Sequence, residues 1–209
     1  MNTIPAQLDH LVLATPELSA TIDDFARRTG VVPVPGGAHV GLGTRNHLVG
    51  LGGRAYLEIL GPDPEQAGHP GAARTFGADR LAEPRTLSWA IGPPDIDLTI
   101  ERARARGYDP GDVRPMSRRR PDGTLLAWRL TDGAADSSGL VPFLIDWGSS
   151  PHPSDGLPIT PLLELSASAP DPSTILPSLA ALDVELSLSE GPLRISFTLD
   201  TPNGPVTFN

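Results

Sequence analysis

The sequence predicts an α+β protein made of repeated β-α-β-β-β modules, two of full length and a third that is shorter. Three observations predict it. Pro16, Pro94 and Pro172 stand at equal intervals of 78 residues. Each follows a short apolar run (LDHLVLA, TLSWAI or LLELSASA) of the kind that makes a buried strand. Each precedes a helical pattern, and proline suits a first helical position because its missing N–H would be unpaired there.

The elements follow in order. The first helix is expected from Pro16 to Thr29, capped by Thr15, with Leu18, Ile22 and Phe25 on one face and Gly30 as its stop. Strands are then expected over 31–34, 47–51 and 55–60. The second helix is expected over 95–106, with Ile96, Ile100 and Ala103 sharing a face and Gly107 ending it. Strands follow over 112–117, 125–131 and 141–147, with Asp122-Gly123 as a hairpin signal. The third helix is expected over 172–182, with Ile175 and Leu179 inward and Pro177 kinking or shortening it. Strands over 184–189, 193–199 and 206–209 complete the module, with Asn203-Gly204 as a turn. The chain thus divides into paired modules over 1–150 (1–61 and 85–150, joined by 62–84) and a third, truncated module over 151–209.

Composition excludes several chemistries. There is no cysteine, so disulfides, thiolate nucleophiles and sulfur-ligated metals are out. There is no lysine either: all 16 basic residues are arginine, so a Schiff base is out. A net charge of −9 argues against nucleic acid. The charge is uneven, since residues 151–209 carry seven acids and one arginine. No apolar run approaches the length of a membrane span. MNTIPAQLDH lacks the features of a signal peptide, so a cytoplasmic protein is expected. The 22 glycines and 24 prolines fall between periodic segments and read as turns. SLSEG lacks the G-x-S-x-G pattern of a nucleophile elbow, and no Ser-His-Asp arrangement is supported.

The module repeat, the first strand LDHLVLA and the later strand AYLEIL resemble the vicinal oxygen chelate superfamily. Within it, PVPGGAHVGLGTRNHLVGLGGRAYLEILGPDP, RPMSRRRPDGTLLAWRL and VPFLIDWGSSPHP are similar to glyoxalase-like domain proteins. The resemblance implies that modules one and two pair into a U-shaped sheet cup. The third module is expected to pack beside them, covering an edge strand or supporting a homodimer. It also implies a divalent metal in the cup of the enzymes, held by first-strand and last-strand residues of each module. Such a metal chelates vicinal oxygens of a small substrate.

By that resemblance His10 matches the first-strand ligand and Glu58 the last-strand ligand. Strand alternation places Leu8, His10 and Val12 on one face, and Tyr56, Glu58 and Leu60 on another. An imidazole with a carboxylate suits Zn, Fe, Mn, Ni or Co. The second module is less obliging. Counting back six residues from each proline takes His10 to Ser88 and Ser166, which are poor ligands. The counterpart of Glu58 falls in 141–147, where Asp146 is the ionisable candidate. His39, among glycines that permit close backbone approach, reads as a further ligand or general base, or as a surface-loop histidine. His47 competes with it, whereas His69 and His152 sit among Pro and Gly and read as solvated.

GLGTRN at 41–46 is neither a P-loop nor a dinucleotide fingerprint. Asn46 reads as an amide that orients substrate, or as a turn residue. In RPMSRRRPDG, Arg118 or Arg120 reads as the partner of an anionic substrate group, or as part of a solvated hairpin arm. Trp89, Trp128 and Trp147 read as core, with Trp147 also a candidate cup residue. Two functions remain open. One is a metal-dependent lyase, isomerase or dioxygenase acting on a small oxygen-rich molecule, with His39 and Glu58 in the chemistry. The other is a metal-free protein of the bleomycin-resistance type that sequesters a small molecule.

Overall fold

In the computed structural model, residues 4–39, 41–66, 81–120, 122–133 and 138–209 are described. Most of the expected linker, with His69, lies outside them. The first module comprises β1 (Leu8–Ala14), α1 (Leu18–Thr29), β2 (Val34–His39), β3 (Thr44–Gly52) and β4 (Ala55–Pro62). The second comprises β5 (Arg85–Ile91), α2 (Ile96–Ala105), β6 (Val113–Arg119), β7 (Leu125–Thr131) and β8 (Phe143–Asp146). The last segment holds β9 (Leu162–Ala169), α3 (Leu176–Ala181), β10 (Ser187–Glu190), β11 (Arg194–Leu199) and β12 (Val206–Phe208). No described helix is long and apolar enough to cross a membrane.

The first eight strands curl into a barrel-like cup in the order β1-β4-β3-β2-β6-β7-β8-β5. Each half repeats one pattern: its first strand runs parallel to its last, and the intervening hairpins are antiparallel. The halves join through the antiparallel β1–β5 ladder on one side. On the other, among the described residues, they meet at the register pair Ala38 with Arg119. The expected U is therefore closed into a ring.

Residues facing outward from the cup, among them Leu11, Leu13, Leu57, Ile59, Trp89 and Ile91, join the helices in one large core. Residues facing inward, among them Val12, Leu48, Tyr56, Phe143 and Ile145, form a second cluster. This double coverage explains why β1 is apolar almost throughout and buried at all seven positions.

Local signals account for the helix limits. Asp95 caps α2 by accepting from the Leu98 N–H at 2.9 Å, and Ile96, Ile100 and Ala103 are its buried face, as expected. α1 begins two residues later than expected, at Leu18. Thr15 Oγ1 accepts from the Glu17 N–H at 3.1 Å and bonds the Thr21 hydroxyl at 2.7 Å, so it closes a turn ahead of the helix. Its inward face is Thr21, Phe25 and Thr29, and Gly30 ends it at φ 74°. Pro177 lies in the first turn of α3 and shortens it. The largest departure is β2, expected at 31–34 and found at Val34–His39. The two glycines place it there: a Cβ at Gly37 would sit 2.3 Å from the Arg119 carbonyl oxygen.

The third module forms a sheet of its own outside the barrel, the third sheet, in the order β10-β9-β11-β12. Its element order matches the other modules, but β9 lies between β10 and β11, parallel to the first and antiparallel to the second. One face carries Leu165, Ala167, Ile195, Phe197, Leu199 and Phe208 into the large outer core. Phe208 stacks on Phe25 of α1 at 5.1 Å and on Phe197 at 5.3 Å, and the Arg28 guanidinium lies 4.2 Å above its ring. Thr160 N–H donates to the Gly50 carbonyl at 2.8 Å, tying the entry of this sheet to β3. Because the ring has closed, the third sheet covers an outer face of the barrel and no edge strand.

This packing makes a prediction. Phe208→Ala removes the ring shared by α1 and β11 and should cost about 3–5 kcal/mol. Chemical denaturation should show one transition at a lower midpoint for barrel and third sheet together; an unchanged midpoint or two separate transitions would contradict the shared core.

Candidate functional site

A bulge in β1 builds the site. Opposite β5, Leu8 pairs with Ile91 and His10 with Ala90, which leaves Asp9 as an extra residue. The phase of the strand shifts there. Leu8 joins the outer core, while His10 and Val12 face the cup. The expectation that Leu8, His10 and Val12 share a face fails for this reason. Past the bulge alternation resumes, and on β4 Tyr56, Glu58 and Leu60 all face inward.

Glu58 is the centre of the polar network, with only 8% of its surface exposed. Its Oε1 accepts from the Asn46 amide at 2.6 Å and lies 3.6 Å from His39 Nε2. Its Oε2 lies 3.9 Å from His10 Nε2. Asn46 Nδ2 also approaches His39 Nε2 at 3.4 Å, and His39 Nδ1 meets Thr44 Oγ1 at 3.0 Å. An amide nitrogen can only donate, so His39 Nε2 is the acceptor and Nδ1–H donates to Thr44. Burial lowers the pKa of His39, nearby Arg118 lowers it further, and Glu58 opposes them. The ring therefore faces Glu58 as a neutral imidazole. Asn46 depends on a glycine, because a Cβ at Gly36 would stand 2.2 Å from Asn46 Oδ1. That oxygen is buried without a hydrogen-bond partner among the described residues.

Behind His10 lies a second carboxylate. Asp9 Oδ1 accepts from His10 Nδ1 at 2.7 Å. Its Oδ2 accepts from His152 Nε2 at 3.0 Å and from Trp147 Nε1 at 3.1 Å. Burial alone would raise the Asp9 pKa, but the hydrogen bonds and charges of His10 and His152 outweigh it and bring it to about 2. The His10 ring stacks on Tyr56 at 4.8 Å. Burial, with Asp9 and Glu58 nearby, raises the Tyr56 pKa well above the ordinary phenol range, so it stays protonated.

Of these groups His10, His39, Asn46, Tyr56 and Glu58 line a cavity of about 70 Å³, with Met116, Trp128, Phe143, Ile145 and Trp147. Arg118 faces the same space and is 3% exposed. Among the described residues its guanidinium bonds the Gly36 carbonyl and forms no ion pair; burial lowers its pKa.

The fold thus brings His10, His39, Asn46, Glu58, Arg118 and Trp147 to one cavity. It leaves two other candidates out. Asp146 follows Ile145 on β8 and points outward, where Arg129 binds it at 2.8 Å. Arg120 sits at the β6–β7 turn, where its N–H bonds the Thr124 carbonyl at 2.9 Å, away from the cavity lining. His47 alternates with Asn46 and faces the outside of β3. His152, expected to be solvated, is 3% exposed and fully engaged. Asp9, Thr44 and Tyr56 join the site without a role foreseen for them in the sequence. Asp9 adjoins His10 in sequence, and on a regular strand its side chain would point away.

The metal implied by the resemblance can be tested against these groups. His10, His39 and Glu58 supply suitable nitrogen and oxygen donors, all from the first module. The second module contributes Ala90, Phe143 and Ile145 to the inner cluster, and Asp146 is turned away. Asn46 and Arg118 direct N–H groups into the same region. Among the described residues no three His, Asp or Glu side chains are arranged to hold an ion. The donor set among the described residues does not close around a metal.

A family model described as a glyoxalase-like domain matches residues 8–182. Comparison with curated proteins gives no match. Among solved structures, a hypothetical protein from Staphylococcus aureus superposes with a TM-score of 0.63 at 16% identity, over 96% of this chain and 84% of that one. This is a likeness of fold. Methylmalonyl-CoA epimerase from Mycobacterium tuberculosis gives a TM-score of 0.43 at 20% identity, over 71% of this chain and 92% of that one. A hypothetical protein from Bacillus halodurans C-125 gives 0.43 at 16% identity, over 69% and 96%. With the family model spanning both barrel modules, the chain belongs to the glyoxalase-like domain family.

Proposed function

We propose that this protein is an enzyme of the lyase or isomerase kind, moving a proton on a small, anionic, oxygen-rich molecule bound in the cup. One observation carries the reading. The lone pair of His39 Nε2 faces Glu58 Oε1 at 3.6 Å, and a single amide, Asn46, donates toward both. Two buried acceptors side by side make a site that takes up a proton. A substrate C–H or O–H facing the pair from the cavity supplies it, and the lowered pKa of His39 keeps the imidazole ready to accept.

The other residues take roles that fit. A buried guanidinium with no ion pair among the described residues is costly, and an anionic group of the ligand would offset that cost. Arg118 therefore holds that group and stabilises the negative charge left on oxygen when the proton departs. Tyr56, Trp128, Phe143 and Trp147 wall the rest with aromatic surface. His10 turns Nε2 toward the far oxygen of Glu58, 3.9 Å away, and lines the other side of that carboxylate. The same aromatic lining favours a second reading, a metal-free protein that binds its ligand without turning it over.

Deuterium exchange separates the two. Small 2-oxo and 2-hydroxy acids incubated with the protein in heavy water should exchange protons next to the carbonyl, followed by proton NMR. Glu58→Gln should lower that rate by about 10²-fold or more while binding persists. Binding without exchange in the wild type would leave the sequestering reading.

Arg118→Ala should weaken binding of the anionic ligands by at least about tenfold and leave uncharged analogues little affected, as titration calorimetry would register. Equal loss for both classes would remove Arg118 from the anion role. The pH dependence follows from His39. Its pKa is lowered in the fold, so the base form persists below the ordinary histidine range. The acid limb of the exchange rate should therefore lie below about pH 6.5, and shift or vanish in His39→Gln.

A further inference from the structure

We propose that His152 is a positioning residue: through Asp9 it fixes the tautomer and orientation in which His10 faces the ligand cavity. The inference rests on the reading of the cup as the reacting site, and it brings the segment that follows the barrel into that site.

The hydrogen-bond directions are set one after another. The backbone N–H of Ser154 donates to His152 Nδ1 at 3.3 Å, and the Ser154 hydroxyl lies 2.7 Å from the same nitrogen. An N–H can only donate, so Nδ1 is the acceptor and the His152 ring carries its proton on Nε2. That N–H points at Asp9 Oδ2, 3.0 Å away. Trp147, a donor only, adds its indole N–H to the same oxygen at 3.1 Å. Trp147 also reaches Oδ1, at 3.3 Å, so His152 is the side chain that engages Oδ2 alone; Oδ1 accepts from His10 Nδ1 at 2.7 Å and demands a proton there. His10 Nε2 is thereby left to face Glu58.

The surroundings hold this chain in place. His152 packs edge-on against Tyr56 at 5.8 Å and against Trp147 at 5.7 Å, so it is braced from both sides. The segment itself is pinned at Ser150, which donates to the Ala127 carbonyl at 2.7 Å and accepts the Ala127 N–H at 2.9 Å. The Asp9 carboxylate lies on the His10 side only because of the bulge. Apart from His10, the described side-chain donors to Asp9 come from residues 147–152, beyond the last barrel strand. The orientation of a first-strand histidine is thus decided by the chain entering the third sheet.

The test reads the tautomer directly. Long-range ¹H–¹⁵N correlation spectra of the wild type at alkaline pH should show His10 protonated on Nδ1 and bare on Nε2. In His152→Ala that single pattern should be lost, with the Nε2–H form now present and the barrel still folded by circular dichroism. His152→Gln keeps an N–H donor to Asp9 and should restore the wild-type pattern. An unchanged His10 pattern in His152→Ala would overturn the proposal, as would a mixed pattern in His152→Gln. If the alanine variant does not fold, the glutamine variant decides alone. No ligand is needed, so this outcome is separate from that of the deuterium exchange, which tests Glu58.

Discussion

Two carboxylates, Asp9 and Glu58, are buried in the wall of one small cup, and the arrangement of the site follows from satisfying them. A buried charge without partners costs far more than any one apolar side chain packed around it can return. Glu58 is met by the Asn46 amide and flanked by two imidazoles. Asp9 is met by three N–H donors, from His10, His152 and Trp147. His10 belongs to both sets, so the two networks are one chain running from the segment after the barrel to the cavity. The bulge at Asp9 and the glycine at 36 serve that chain. One turns a second side chain to the same face, and the other leaves room for an amide against the backbone.

The two barrel modules share a topology but divide the work. The first supplies the titratable groups of the cup: His10, His39 and Glu58, with Asn46 between them. The second supplies Trp128, Phe143, Ile145 and a single cation, Arg118, to the described cavity lining. A polar wall faces an aromatic one across about 70 Å³. On the proposed reading, this space takes a small molecule with an oxygen-rich end and an anionic group. The fold hosts many chemistries, and here the distribution of side chains over the repeat narrows the choice.

The third sheet completes the outside of the barrel. Its apolar face enters the same core as the helices, through Phe197, Phe208 and Phe25. Stability and site are therefore linked through one connection. The chain that leaves β8 passes Trp147 and His152 beside Asp9, then bonds Gly50 before it enters β9. Displacement of the third sheet would be felt at His10 by way of these residues.

The sequence by itself determined the module order, α2 with its cap and buried face, the strands at 125–131 and 162–169, and the family. Those features are local: periodicity, a proline or glycine at an end, a capping aspartate. It also pointed to six of the residues that meet in the cavity, because alternation on β4 and the resemblance place Glu58 and His10 inside. What it could not determine were the features that depend on residues distant in the chain. The phase of β1 is set by its pairing with β5, which makes Asp9 the odd residue and sends Leu8 outward. Asp146 has the chemistry of a ligand, but alternation along β8 turns it to Arg129. His152, among prolines and glycines, has the surroundings of a solvated residue; only the folded chain brings it 3.0 Å from a carboxylate 143 residues away. Burial and hydrogen-bond partnership across such separations are properties of the tertiary structure, and they decided which of the candidate groups could act together.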